Sequence, residues 1–399
     1  MNWRTSSADR RWSRWGCLLS AVVVSLAASA EASAAQALEK EMAELAKQVQ
    51  GAVKDRGNAV QVGEFIAKGD AARHGATGGP AIAKSLIEQI EKLGVRTSRD
   101  AELIVSGEFR DVTDRATKTT AIQIRARIED RQGETIVDLA SRGVFDLTTI
   151  VALTGITLIA PPTASPSERE KAIDKALDKI QSPCLEGTRI SARADSPYSI
   201  EILVGPDPGD ATSDLQTYKP RAAALDKDGL AFVNIKRGEV YAVKVTNRAD
   251  HDAAATLAID GLTMFAFSEN KRYEVVIVPK RRQGVIPGWH ITNERSDAFQ
   301  VSEYAKSAVA KLLPTSSSIG TISVSFKAAW PKDADPPADE GDVKQGGRDA
   351  DATARGKPVD PKDTRYNEVV RNVGKLRESV SVHYNKTLEP ANLPDSKPQ

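Results

Sequence analysis

Apolar residues early in the chain recur at helical intervals and then switch to alternation. Leu38, Met42, Leu45, Val49 and Ala52 stand four, three, four and three residues apart, which is one continuous helix face. The stripe suits a dimer seam or packing on a following sheet, and is too short for a coiled coil. NAVQVGEFI, from Asn58 to Ile66, reads as a strand. The loop GATGGP then opens a helix from Pro80 to Leu93 whose apolar face is Ile82, Leu86, Ile90 and Leu93. Further on, Ile122, Ile124, Ala126 and Ile128 alternate with Gln123, Arg125, Arg127 and Glu129, and the turn DRQGE joins that strand to TIVDLASRGVFD. Leu147 to Ala160 is apolar but too short to span a bilayer, so it predicts a buried helix or hairpin. Ser165 or Ser167 is placed to cap a helix through Ile173, Ala176, Leu177 and Ile180.

From Arg189 the period is two. Ile200, Ile202 and Val204 share a face, as do Tyr241, Val243 and Val245, then Ala255, Leu257 and Ile259. Tyr273, Val275 and Ile277 repeat the pattern, followed by Phe299 with Val301, and Ile322, Val324 with Phe326. Asp260-Gly261 is a tight-turn signal. Strands at this spacing argue for an antiparallel sandwich. The expected fold is therefore an α+β domain with a mixed sheet (35–182), a linker (183–188) and an all-β antiparallel sandwich (189–330). A segment poor in large apolar residues (331–363) is expected to be disordered. A hairpin around Gly374 (364–386) completes the sandwich, and a frayed tail (387–399) ends the chain.

Composition adds a compartment. Arg4, Arg10, Arg11 and Arg14 precede the apolar run Cys17 to Ala30, and Ala32, Ser33 and Ala34 follow as a small-residue cleavage site. Residues 1–34 thus predict a signal peptide, with the protein exported to the periplasm or beyond. The formal charge is +1. Without the first 34 residues, which hold four arginines and two acids, 51 basic residues face 52 acidic ones. A balance near zero leaves no electrostatic footprint for nucleic acid. The same removal leaves Cys184 as the one thiol, expected to be a small buried hydrophobe beside Pro183.

Two resemblances follow from particular residues. The strand, GATGGPAIAKSLIEQIEKLGV and the meander SGEF, IQIRARIEDRQGETI and ASRGVF resemble a periplasmic α/β domain. That domain occurs in curli-secretion, flagellar-outer-membrane and penicillin-binding-protein-activator lipoproteins, and in the N-terminal domain of TolB. The similarity covers roughly residues 36–146, without the lipobox cysteine. RGEVYAVKVTN, LAIDG, FAFSE, VIPGWH, SDAF and IGTISVSF resemble an uncharacterised β-sandwich domain of exported bacterial proteins. Both resemblances imply fold and compartment and no activity.

Catalytic chemistry has little support in the spacing. In GGPAIAKS the position before Lys84 is Ala83, where a phosphate-binding loop needs glycine, and Pro80 removes an amide donor. Whether the glycines at 75–79 bind anything stays open. His74, His251, His290 and His383 lie far apart, with no metal-ligand spacing, and His251 sits in RADHDA, which reads as a solvated turn. Lys280, Arg281 and Arg282 also read as a solvated turn. Trp289 in PGWH stands near Glu294, Arg295 and Asp297, a candidate partner or glycan patch unless the indole packs in the core. No catalytic residue, cofactor or metal is expected. The expected function is a non-enzymatic envelope scaffold or adaptor acting on unidentified envelope proteins. The alternatives are a glycan or small-ligand module using the sandwich rim and, more distantly, an exported hydrolase.

Overall fold

A computed structural model describes residues 23–25, 34–113, 119–206, 214–301, 320–340 and 366–384. Expectations for the rest of the leader, for the insertion beyond residue 340 and for the tail lie outside these residues. Among the described residues 44% are in strands, with few helices and several open sheets.

The five-stranded sheet has the order Arg96–Thr97, Ala59–Lys68, Leu103–Thr113, Thr120–Asp130, Thr135–Ala140. Its first three strands are mutually parallel and the last two extend it as an antiparallel meander. Helices α1 (Ala34–Val53), α2 (Gly69–Arg73) and α3 (Gly79–Lys92) precede or interrupt its strands. The stripe Met42, Leu45 and Val49 is fully buried and α1 packs against α3, so the seam is used within the chain. Ile122, Ile124, Ala126 and Ile128 point into this core, and each buried isoleucine contributes roughly 1.5–3 kcal/mol. Arg125 and Arg127 stand on the exposed side.

Two helices close this part. Asp146 caps α4 (Leu147–Thr154) by accepting from the Thr149 amide at 2.8 Å. Ser165, and not Ser167, caps α5 (Pro166–Asp178), in a capping box with Glu168.

The remaining strands form a ten-stranded and an eight-stranded sheet around a common core. Ile200, Ile202, Val243 and Val245 come from the smaller sheet. Leu257, Val324, Phe326 and Val380 come from the larger. Asp260 (φ 52°) and Gly261 (φ 76°) both have positive φ, which makes the expected tight turn.

Several local expectations are corrected. Residues 183–188 are no open linker: Cys184–Glu186 pairs with Arg189–Ser191 across Gly187, whose φ is 63°. Cys184 is half-exposed and free. No hairpin turns at Gly374; Asn372–His383 is one twelve-residue strand along Thr321–Trp330. A Cβ there would meet the Glu340 carboxylate, which would have to shift. The expected disorder from residue 331 is overturned as far as Glu340, whose side chain is fully buried. On Val275–Val278 the shared core takes Val276 and Val278, while Val275 and Ile277 face a separate small cluster with Ala254 and Ala329. The strand is buried on both faces, so alternation gave the wrong inner side.

The outer face of the ten-stranded sheet is also buried. Thr256, Ala258, Thr321, Ser323, Ser325, Ser379 and Ser381 carry small side chains that let α4 approach closely. Ser379 Oγ donates to the Ile156 carbonyl at 2.8 Å, and Leu158–Ile159 pairs with Glu378–Ser379. The polar residues of these strands therefore face the helices rather than water.

Candidate functional site

The Gly-rich loop is a packing device. Gly78 N–H donates to the Leu153 carbonyl at 3.2 Å. A Cβ at Gly78 would stand 2.5 Å from that oxygen, and one at Gly79 would overlap the Phe65 carbonyl. Thr77 Oγ1 donates to Asp260 Oδ1 at 2.9 Å, and Lys84 is paired with Glu88. Gly78 and Gly79 therefore serve close backbone packing against Leu153 and Phe65.

Asp260 gathers five contacts from three segments. Besides Thr77, its Oδ1 accepts from the Gly320 and Thr321 amides at 2.6 and 3.0 Å, and its Oδ2 from the Tyr384 hydroxyl at 3.2 Å. Its own amide donates to the Thr321 carbonyl at 2.9 Å. Burial pushes this carboxyl above the usual aspartate range against the pull of those donors. Close by, His383 Nδ1 meets Thr321 Oγ1 at 3.1 Å while Nε2 has no partner. Burial brings this imidazole down to about 4, with the charge of His74 acting in the same direction. His74 Nε2 itself lies 2.8 Å from the Leu177 carbonyl. These groups join the helices to the large sheets.

A second polar cluster involves His251, which is not in a solvated turn. Its Nδ1 donates to the Asp252 carbonyl at 2.8 Å, leaving Nε2 to accept from Arg377 Nη1 at 3.1 Å. Arg377 also binds both oxygens of Asp339 at 2.6 and 2.8 Å, and Glu340 Oε2 at 2.8 Å. The arginine holds Asp339 below the usual carboxylate range. This anchors the start of the charged insertion.

His290, fully buried, lies 3.0 Å from Ser268 Oγ and 3.2 Å from Asn293 Oδ1. A serine, a histidine and an amide side chain invite comparison with a nucleophile site. Here the Ser268 hydroxyl donates to the Asn270 carbonyl and accepts from the Asn270 amide, and it is buried. Rings of Phe265, Tyr273 and Tyr366 enclose the imidazole, and this burial lowers its pKa. The cluster ties the Ser268–Asn270 turn to the hairpin that carries His290.

The four residues singled out from the sequence share one hairpin. Gly288–Thr292 and Arg295–Gln300 pair with Trp289 opposite Asp297. Arg295 Nη2 binds Asp297 Oδ1 at 3.1 Å, and Glu294 lies in the turn. The half-buried Trp289 ring stands edge-on to Phe267 and Phe299 at 5.2 and 5.1 Å and touches both main cores.

Sequence patterning did not reveal a cleft of about 470 Å³ between α1, the start of α4, the start of α5 and the strand Asn372–His383. Phe145, 49% exposed, stands at it, with Leu147 and Leu376 as further apolar lining. The carboxylates there serve the backbone: Glu41 accepts from the Arg142 and Gly143 amides, Asp146 caps α4, and Glu170 accepts from the Thr120 amide. Arg169 donates to the Ala160, Pro161 and Leu376 carbonyls. Lys40 and Lys375 make no ion pair among the described residues. The cleft thus offers one aromatic side chain and two lysines, of which Lys375 Nζ donates to the Pro162 carbonyl at 3.5 Å. The alternation in ASRGVFD suggested a strand, and only an aromatic next to a helix-capping aspartate hinted that Phe145 faces outward.

Among the described residues no group of His, Cys, Asp or Glu is spaced to hold a metal ion, and no helix is long and apolar enough to cross a membrane. No protein-family model, curated protein or solved structure matches the chain.

Proposed function

We propose that this chain is an exported, non-enzymatic adaptor of the cell envelope. It is built as an α+β unit of the periplasmic lipoprotein type followed by an antiparallel β-sandwich, and it grips a partner protein at the cleft beside Phe145. The observation that carries this reading is an exposed aromatic flanked by Lys40 and Lys375, whose neighbouring carboxylates are already engaged. A partner segment presenting an apolar side chain beside an acidic one is complementary to it. The arginine-rich start and the apolar run that follows support export.

Crosslinking of tagged protein in envelope fractions tests the proposal. The parent should yield a discrete partner band that Phe145→Ala combined with Lys375→Glu abolishes without loss of thermal stability. An unchanged band in the folded double variant would refute the role of the cleft.

A second reading, a glycan or small-ligand module at the rim around Trp289, draws support from the half-buried ring standing opposite Asp297, which Arg295 binds. A folded Trp289→Ala variant that keeps every ligand of the parent counts against it.

A further inference from the structure

The ten-stranded sheet contains a slot one strand wide. On one side runs Val275–Val278, whose other edge is paired with Ala253–Ala255. On the other side lies the short strand Asn367–Glu368. The chain's own Val23–Ser25 fills the gap, antiparallel to the first (Val23 opposite Ile277, Val24 opposite Val276, Ser25 opposite Val275). It runs parallel to the second, with Val23 opposite Asn367 and Val24 opposite Glu368. The first wall is held by the sheet independently of the filler, and the second is tethered through Asn293, whose Nδ2 donates to Glu368 Oε1 at 3.5 Å. Val276 and Val278 are anchored in the main core, and Tyr366 N–H donates to the Asn293 carbonyl at 2.8 Å, next to the second wall.

The filling segment lies inside the apolar run of the leader. Removing it leaves backbone donors and acceptors unpaired on both walls, beside a four-residue apolar strand that is buried on both faces. Such an edge is an unstable arrangement in water and a template for another strand. With strands about 4.8 Å apart, the walls lie about 9.6 Å from each other, which admits one strand and no more.

We propose that this slot is a strand-acceptor site: once the leader is removed it takes up a short, β-branched apolar segment of a partner protein, antiparallel to Val275–Val278, by β-strand addition. Val23–Ser25 is the intramolecular stand-in that keeps the slot closed in the precursor. The proposal goes beyond the cleft at Phe145 and concerns a different surface. It shares with that reading only the removal of the leader, which the test replaces by substitution.

The full chain is compared with a Val23→Pro, Ser25→Pro variant by hydrogen exchange. Proline removes amide donors and should empty the slot. The amides of Val275–Val278 that face Val23–Ser25 should lose protection by roughly tenfold or more, while those bonded to Ala253–Ala255 and those of Thr120–Asp130 stay protected. A synthetic peptide spanning residues 21–27 should restore protection saturably, and the same peptide with aspartate at its central valine should not. Equal protection in parent and variant, or no recovery with the peptide, overturns the proposal.

If the proline variant does not fold, a cysteine pair decides. In a chain carrying Cys17→Ser and Cys184→Ser, Val24→Cys with Val276→Cys places thiols on opposed positions, within reach of a disulfide. Oxidation should crosslink them, and reduction followed by addition of the peptide should slow the crosslink. Failure to form it refutes the occupied slot.

Discussion

The five-stranded sheet and the ten-stranded sheet are built from similar alternating strands, yet they treat their polar faces in opposite ways. In Thr120–Asp130 the isoleucines point into the core while Arg125 and Arg127 stand in water. In Thr321–Trp330 nearly every residue is buried, although the sequence alternates just as clearly. The difference lies in the polar residues. Long charged side chains reach solvent from the first sheet. Ser323, Ser325, Ser379 and their neighbours are short enough for α4 to lie directly on the second. A polar face of small residues is thus an interface, and a polar face of long ones is a surface.

The contrast can be attacked first at its most buried charge. Arg377→Ala leaves the fully buried Glu340 without its ion-pair partner, with the Lys375 amide still donating to it, and such losses amount to about 3–5 kcal/mol. Chemical denaturation should show this, together with faster proteolysis after residue 340. A change of a few tenths would mean that the insertion is not anchored.

Next comes pH. In the unfolded chain an imidazole binds a proton near 6.5, whereas burial keeps His383 neutral down to about 4 in the folded protein. The unfolded state therefore binds more protons in that window. The contribution is fully present above pH 6.5 and is lost as pH falls toward 4, at about 3 kcal/mol for this group. His74 and His290 shift in the same direction. Melting temperatures from pH 7 to 4 should fall, and His383→Gln should flatten part of the slope.

Gly78→Ala drives a methyl group against Leu153 and should cost about 1–3 kcal/mol, measured by thermal unfolding. Ser165→Ala should cost about 1 kcal/mol through loss of the cap. At the small end, Arg127→Ala on the exposed side of the five-stranded sheet should leave the unfolding midpoint unchanged. If it matched Gly78→Ala, the distinction between the two polar faces would fail.

Much of the fold was legible because it depends on local period and turn chemistry. The helix stripe from Leu38, the cap at Ser165 and the positive-φ turn at Asp260-Gly261 are short-range consequences of side-chain spacing and backbone sterics. Glycine at 374 misled because its local signature is a turn, while it stands within a strand against the Glu340 carboxylate, which arrives from 34 positions earlier in the chain. His251 misled in the same way, since RADHDA is polar and its partner Arg377 is remote. The patch around Trp289 was legible as neighbouring residues in sequence, but the hairpin that pairs Trp289 with Asp297 and the contacts of its ring with Phe267 and Phe299 were not.

The sequence by itself determined the long periodic elements, such as the helix from Leu38 and the strand Thr120–Asp130, and which of their side chains share a face. Periodicity is a property of the chain alone. Only the tertiary structure decided which of two opposite faces meets solvent, where Phe145 stands with Lys40 and Lys375, and which segment fills the slot beside Val275–Val278. Burial of a face depends on what packs against it, and those elements come from distant parts of the chain.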